Sequence, residues 1–403
     1  MKGFSALKAA GVVFAFCAAT AIASRAQILT TLYSFCSQAN CNDGAYPYAG
    51  LIQASDGNFY GTTEFGATNG DGAVFKITPS GTQTVLYSFD GPNGAIPYAG
   101  LLQAADGNFY GTTYVGGTGH NCGGWSGCGT VFKVSPSGTL ATLYSFCREY
   151  ACPDGNEPAA GLIQATDGNF YGTTVLGGVN HHGTVFTITA AGALITLYSF
   201  SGPDGMQPAA GLIQATDGNF YGTTVLGGAN GYGTVFKITT SGTLTTLHSF
   251  GSQPNDGALP EAGLVQASDG NFYGTTYFGG SNGDGTVFKF TPSGTLTTLH
   301  SFGGDDGASP NAAVVQASDG NFYGTAESGG ANNEGTVFKM TPSGTLTRLH
   351  SFNGPDGDEP LAALVQARDG NFYGTTAGGG ANGEGTVFRL VLPRPCIVCR
   401  RAE

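Results

Sequence analysis

The chain has 403 residues and a formal charge of −12; only 10% of its residues are charged, and 69 are glycine. Few charges and many glycines suit short strands joined by tight turns rather than helices. The acidic balance makes nucleic acid a poor partner.

Taken from the start, Lys2 and Lys8 precede an apolar run from Ala9 to Ala23, followed by small residues. This reads as a secretory signal peptide over residues 1–26, with cleavage expected after Ala26 or Ala23. The run is short for a membrane span, so no transmembrane segment is expected in the mature chain. Cys17 follows Phe16 rather than a small residue, which argues against lipid attachment there. Loss of Lys2, Lys8 and Arg25 takes the formal charge from −12 to −15.

From here the chain repeats itself. Asp56-Gly57-Asn58-Phe59-Tyr60-Gly61-Thr62 recurs from Asp106, Asp167, Asp217, Asp269, Asp319 and Asp369. A fixed period near ~50 residues marks a repeat architecture whose units bury their faces only by stacking. The unit around Asp217 shows four strand signals. Ala210 to Ala215 runs into the hairpin dipeptide Asp217-Gly218, and Asn219 to Thr224 returns. A Gly227-Gly228 loop follows, then Gly233 to Ile238, the Ser241-Gly242 turn, and Thr243 to Phe250.

Seven such sheets predict an all-β, seven-bladed β-propeller of four-stranded antiparallel blades over residues 28–391. The ends are complementary: Ile28 to Phe35 matches a fourth strand, and the last unit stops after its third, Gly385 to Val391. The N-terminal strand is therefore expected to complete the last blade and close the ring, which leaves no exposed edge. A superhelical β-array is the rival, and it has no use for such complementary ends. Residues 392–403 form a short tail.

The repeated wording from Gly211 to Lys237 resembles the GloVer tandem repeat of bacterial surface and secreted proteins, and the likeness covers all seven units. It implies a propeller-like body and export, and no established activity. Family members are named for one of several C-terminal anchors. Here Leu392 to Glu403 offer no apolar tail or sorting motif, so a freely secreted form is expected beside a cell-surface one. The strand order is also similar to NHL and kelch propellers, a likeness of fold that carries no function.

Cysteines fall in close pairs: Cys36 with Cys41, Cys122 with Cys128, Cys147 with Cys152, and Cys396 with Cys399. In an exported protein these predict four local disulfides. Zinc is disfavoured, since only Cys396 and Cys399 have the two-residue gap of common zinc sites.

In this strand order one face carries the short Asp-Gly and Ser-Gly turns, and the other carries every insertion and three of the cysteine pairs. Binding is expected on the variable face. Nineteen of the 27 carboxylates fall in its loops once the seven hairpin Asp residues and Glu403 are set aside. They make either a solvated rim or a field for cationic ligands, with calcium a candidate through hard oxygen ligands. One sector gathers His120, Trp125, Arg148, Glu149, Tyr150, His181 and His182. A flat ring among charged and amide groups suits a carbohydrate or peptide ligand; a loop decoration held by disulfides is the plainer reading. A three-histidine metal site is weaker, because adjacent loop histidines point apart.

Other recurrences read as structural: His248, His300 and His350 at the Tyr33, Tyr87, Tyr144 and Tyr198 position, the third-strand lysines, and seven axial glutamines from Gln53 to Gln366 expected to bridge blades. The leading function is a non-enzymatic binding scaffold. The alternatives are a propeller lyase, lactonase or hydrolase with a loop-borne metal, and a purely structural repeat. No catalytic residue is singled out, because the innermost strands offer no carboxylate or histidine.

Overall fold

The computed structural model describes residues 28–120, 122 and 127–393. Residues 1–26, expected to be a leader, Trp125 and all but the first two residues of the segment 392–403 lie outside them. The disulfide expected between Cys396 and Cys399 falls in that tail, so neither Cys396 nor Cys399 is among the described residues.

The hairpin motif explains how each blade starts. Asp217 Oδ1 accepts the Asn219 backbone N–H at 3.0 Å, while Oδ2 accepts the Tyr221 hydroxyl at 2.9 Å and Lys237 Nζ at 2.8 Å. The turn, the second strand and the third strand thus meet on one carboxylate, which accounts for the recurring third-strand lysine. Where Thr187 replaces it, its hydroxyl donates to the Phe170 carbonyl instead. The glycine inside the motif is steric: a Cβ on Gly222 would lie 2.7 Å from the Phe236 ring and 2.8 Å from Leu212. Each second strand is therefore roofed by the aromatic ring of the third.

Seven four-stranded antiparallel sheets result. In blade 4 the strands are Ile213–Gln214, Phe220–Thr224, Thr234–Ile238 and Leu244–Ser249. The innermost ladder has two residues, where the sequence suggested an extended run of six. The rest of that run passes along the axis and packs against neighbouring blades, leaving a very short edge strand. Ile28–Ser34 pairs antiparallel with Thr386–Val391, Leu29 opposite Leu390, as the outermost strand of the last blade. The ring is closed by the strand that the complementary ends predicted, so the β-array is excluded.

Blade contacts repeat around the circle, the seam included. Tyr221 stacks on Phe272 with centroids 4.3 Å apart, and at the seam Tyr373 meets Phe59 at 4.1 Å. Phe250 meets Phe288 edge-on at 5.4 Å, as Phe35 meets Phe75 at 5.2 Å. Buried Thr223 donates to the Ala262 carbonyl of the next blade, and Thr375 donates across the seam to Ala49, both at 3.0 Å. Near the axis, Gln266 accepts the Thr216 N–H and Gln53 accepts the Arg368 N–H, each at 2.9 Å. The glutamines are inter-blade bridges, as expected, and Arg368 adds a guanidinium contact to the Ser55 carbonyl at the seam.

Candidate functional site

On the loop face, each connection between blades pairs with the loop after the second strand, as in the bridges Met206 to Leu226 and Ala308 to Ser328. Six of the acids counted toward the rim are internal to this framework. Tyr33, Tyr144 and Tyr198 donate their hydroxyls to Asp43, Asp154 and Asp204; His248, His300 and His350 bond Asp256, Asp306 and Asp356 through Nε2. These histidines are structural variants of the tyrosine, as expected. The acids they hold are a correction to the idea of nineteen freely solvated carboxylates: Asp43 is fully buried and Asp256 nearly so. Their oxygens already engage hydroxyl, imidazole or backbone groups of the framework, which leaves fewer of them free to meet a ligand.

One of the remaining acids, Glu261, belongs to a different feature. The residues that lead into the innermost strands of all seven blades line an axial hollow of about 280 Å³. A proline starts each lead-in, and the next residue is Tyr48, Tyr98, Ala159, Ala209, Glu261, Asn311 and Leu361 in turn. The glycine backbones below are close packed: a Cβ on Gly263 would sit 3.1 Å from the Gly211 carbonyl.

The hollow is chemically polarised. Tyr48 and Tyr98 lie with ring centroids 3.9 Å apart, and Tyr114 extends this aromatic side 5.9 Å beyond Tyr98. The Tyr114 hydroxyl donates to Glu157 at 2.7 Å. Opposite, burial and the negative charge of Glu327 push the Glu261 carboxyl up, opposed by Asn311. Burial also raises Glu327, helped by the charge of Glu359, while Asn311 and Tyr277 oppose it. Burial raises Glu64 as well, and carries the Tyr48 hydroxyl up to about 12. Partly buried carboxylates facing an aromatic wall can accept hydrogen bonds from hydroxyls or amines while the rings cover an apolar face. Glu261 reaches the hollow from the lead-in that precedes the innermost strand Val265–Gln266, so it is not visible in a reading of the innermost strands, which themselves offer no carboxylate.

The sector singled out from the sequence lies elsewhere. Tyr144, Arg148, Glu149, Pro153, Asp154 and Thr196 line a second hollow of about 300 Å³. Arg148 lies over the Tyr144 ring at 4.6 Å and donates through Nε to the Ser145 carbonyl. His120 is exposed and its backbone N–H bonds the Cys147 carbonyl; Tyr150 is 93% exposed. His181 is exposed, whereas His182 is half-buried near Gly202. Arg148 and Glu149 share this hollow; His120, Tyr150, His181 and His182 do not line it. Among the described residues, three or more possible metal ligands converge at one place, formed by Cys122, Cys128, Cys147 and Cys152. The axial residues were missed, although a signal existed: the position after the repeated proline varies while its neighbours hold constant.

Three of the four expected disulfides are present among the described residues, joining Cys36 to Cys41, Cys122 to Cys128 and Cys147 to Cys152. The fourth, Cys396 to Cys399, lies outside the described residues and stays an expectation from sequence spacing. No helix among the described residues is long and apolar enough to cross a membrane.

A closed ring of seven four-stranded blades with a varied loop face defines the protein as a seven-bladed β-propeller. Its sequence assigns it further. The chain belongs to the Gloeobacter/Verrucomicrobia repeat family, whose model matches residues 3–125, 118–315 and 252–395. No curated protein matches it in sequence. Among solved structures it is similar to virginiamycin B lyase from Staphylococcus aureus, at 13% identity and a TM-score of 0.57 over 91% of this chain and 99% of that one. It is also similar to a periplasmic gluconolactonase from Pseudomonas aeruginosa, at 18% identity and a TM-score of 0.51 over 85% and 88%. At such identities the likeness is one of fold alone.

Proposed function

We propose that this protein is an exported binding propeller, secreted or held at the cell surface, that takes a carbohydrate or peptide ligand on its loop face. The observation that carries this reading is the axial hollow, where the close, tilted pair Tyr48 and Tyr98 faces Glu261 and Asn311. Its volume of about 280 Å³ is at the small end for ligand pockets, so it suits one sugar ring or one side chain of a longer ligand. The sector of His120, Trp125, Arg148, Glu149, Tyr150, His181 and His182 is a second contact for the rest of such a ligand. Disulfides and the family's repeats support export, with residues 1–26 as the leader.

Glycan and peptide arrays followed by calorimetry test the reading. Tyr98→Ala and Asn311→Ala should each weaken a captured ligand at least ~10-fold, the scale of a binding hot spot. Unchanged affinity in both, together with loss in Arg148→Ala or Trp125→Ala, would move the site to the outer sector. No captured ligand on either array would leave the structural repeat as the better reading.

A second reading is favoured by one observation: in the axial hollow, burial and the negative charge of Glu327 raise the affinity of Glu261 for its proton. Perturbed carboxylates in a concave site suit general acid–base work in a hydrolase or lyase. Turnover of lactones or glycosides that is lost in Glu261→Gln, with binding retained, would establish it. Calcium on the acidic rim is tested by melting with and without chelator.

A further inference from the structure

Two disulfides from consecutive loops meet in this molecule. Cys122 and Cys128 belong to the long loop of blade 2, and Cys147 and Cys152 to the connection into blade 3. All four sulfur atoms lie within 4.8 Å of one another; three of the residues are buried and Cys152 is half-buried. Neither pair has the two-residue gap of common zinc sites, so the sequence alone gives no reason to join them. The fold does, because the two loops are neighbours at one blade interface.

We propose that these four cysteines, when reduced, form a structural site for one Zn²⁺ that links blades 2 and 3. A tetrahedral ion with Zn–S bonds of roughly 2.3 Å holds its sulfurs roughly 3.8 Å apart. Bonded sulfurs sit at roughly 2.0 Å, so each pair opens by less than roughly 2 Å. Sulfurs of different pairs, already within 4.8 Å, close by about 1 Å at most. A partner beyond the four ligands is also in place. Asn156 Nδ2 lies 3.4 Å from Cys122 Sγ, and its Oδ1 is buried with no hydrogen-bond partner. An amide N–H aimed at a sulfur favours the thiolate over the thiol, as groups around metal ligands commonly do. Half-buried Cys152 leaves a way in for the ion.

The chemistry balances with a dithiol as reductant. Each disulfide takes two electrons and two protons from one dithiol, which leaves as its own cyclic disulfide. The four thiols then exchange four protons for one Zn²⁺. Oxidation by a small-molecule disulfide runs the sequence backwards and expels the ion. The site therefore holds either two local crosslinks or one crosslink between blades.

The test uses the full chain reduced with a dithiol, freed of excess reductant under nitrogen and titrated with Co²⁺ and then Zn²⁺. The expected result is thiolate-to-cobalt charge transfer saturating at one ion per chain, bleached by Zn²⁺, and absent from the oxidised protein. Cys122→Ser and Cys147→Ser should each abolish it. Two double variants, Cys36→Ser with Cys41→Ser and Cys396→Ser with Cys399→Ser, should retain it, and Asn156→Ala should weaken Zn²⁺ binding ~10–100-fold. Reduced protein with an unchanged far-ultraviolet spectrum that takes up no cobalt would overturn the proposal, as would binding that survives Cys122→Ser. If reduction in vitro unfolds the chain, leaderless protein made in a reducing cytoplasm replaces it. Native mass spectrometry should then find one zinc, and folded, zinc-free protein would again overturn the assignment.

Discussion

Closure of the ring is open to a test that uses the protein's own repetition. Thr223 and Thr375 occupy the same position in blades 4 and 7, and each is 1% exposed. Each donates to a carbonyl 3.0 Å away in the next blade, Ala262 for Thr223 and Ala49 across the seam for Thr375. Replacement by valine keeps the shape and removes the donor, leaving a buried carbonyl short of a partner at ~1–3 kcal/mol. The added methyl returns about 0.8 kcal/mol, so each variant should lose roughly 0.2–2 kcal/mol. Urea denaturation measures this as a shift of midpoint at constant slope. In a closed ring the two losses are equal within ~0.5 kcal/mol. A normal loss for Thr223→Val beside none for Thr375→Val would mean that the seam is open in solution, and the reasoning would fail.

Other outcomes follow from the same geometry. Burial pushes the Asp269 and Asp319 carboxyls up, but Asn271, Lys289 and Tyr273 on one, and Asn321, Lys339 and Tyr323 on the other, outweigh it and hold both at about 2. Because the folded value lies below the unfolded one, this stability is present above pH ~4 and is lost as pH falls toward ~2. Each side chain is about two-fifths exposed, so screening leaves roughly 1 kcal/mol apiece; Asp319→Asn should flatten the acid limb of a stability–pH curve by that amount. Gly285→Ala would bring a Cβ within 2.5 Å of the Thr276 carbonyl and 2.6 Å of Pro310, whereas one on Gly283 meets nothing within 4 Å, and both residues have positive φ. Calorimetric melting should show ~1–2 kcal/mol lost at Gly283 and clearly more at Gly285. Phe236 is fully buried, so Phe236→Ala should cost ~3–5 kcal/mol in the same assay.

The ring was legible because its information is carried by repetition: seven copies fix the strand order, and the unmatched strand at each end fixes closure. The roles of Gln53 to Gln366 and of His248, His300 and His350 could be read in the same way, by comparing one copy with another. The axial site was harder to see. Tyr48, Tyr98, Glu261 and Asn311 stand about fifty residues or more apart, and only closure brings them together. Attention to the longest insertion favoured Trp125 and the histidines, although an insertion marks where the chain tolerates length, not where seven blades converge. The number of acids misled for a related reason. Charge can be counted in a sequence, but whether Asp43 faces water or a tyrosine hydroxyl depends on a loop conformation that composition does not specify.

The clasp also bears on the order in which the protein is made. Asn382 Nδ2 donates to the Phe35 carbonyl, and the Ala381 N–H donates to Ser34 Oγ, across 347 residues. The first strand to emerge during synthesis therefore cannot find its place until nearly the last one has appeared. Bringing such distant ends together costs about 5 kcal/mol in chain entropy, and until then Ile28–Ser34 is an unpaired edge exposed to other chains. A ribosome-bound fragment ending before Thr386 should be the species most prone to aggregate, even though it already contains six complete blades.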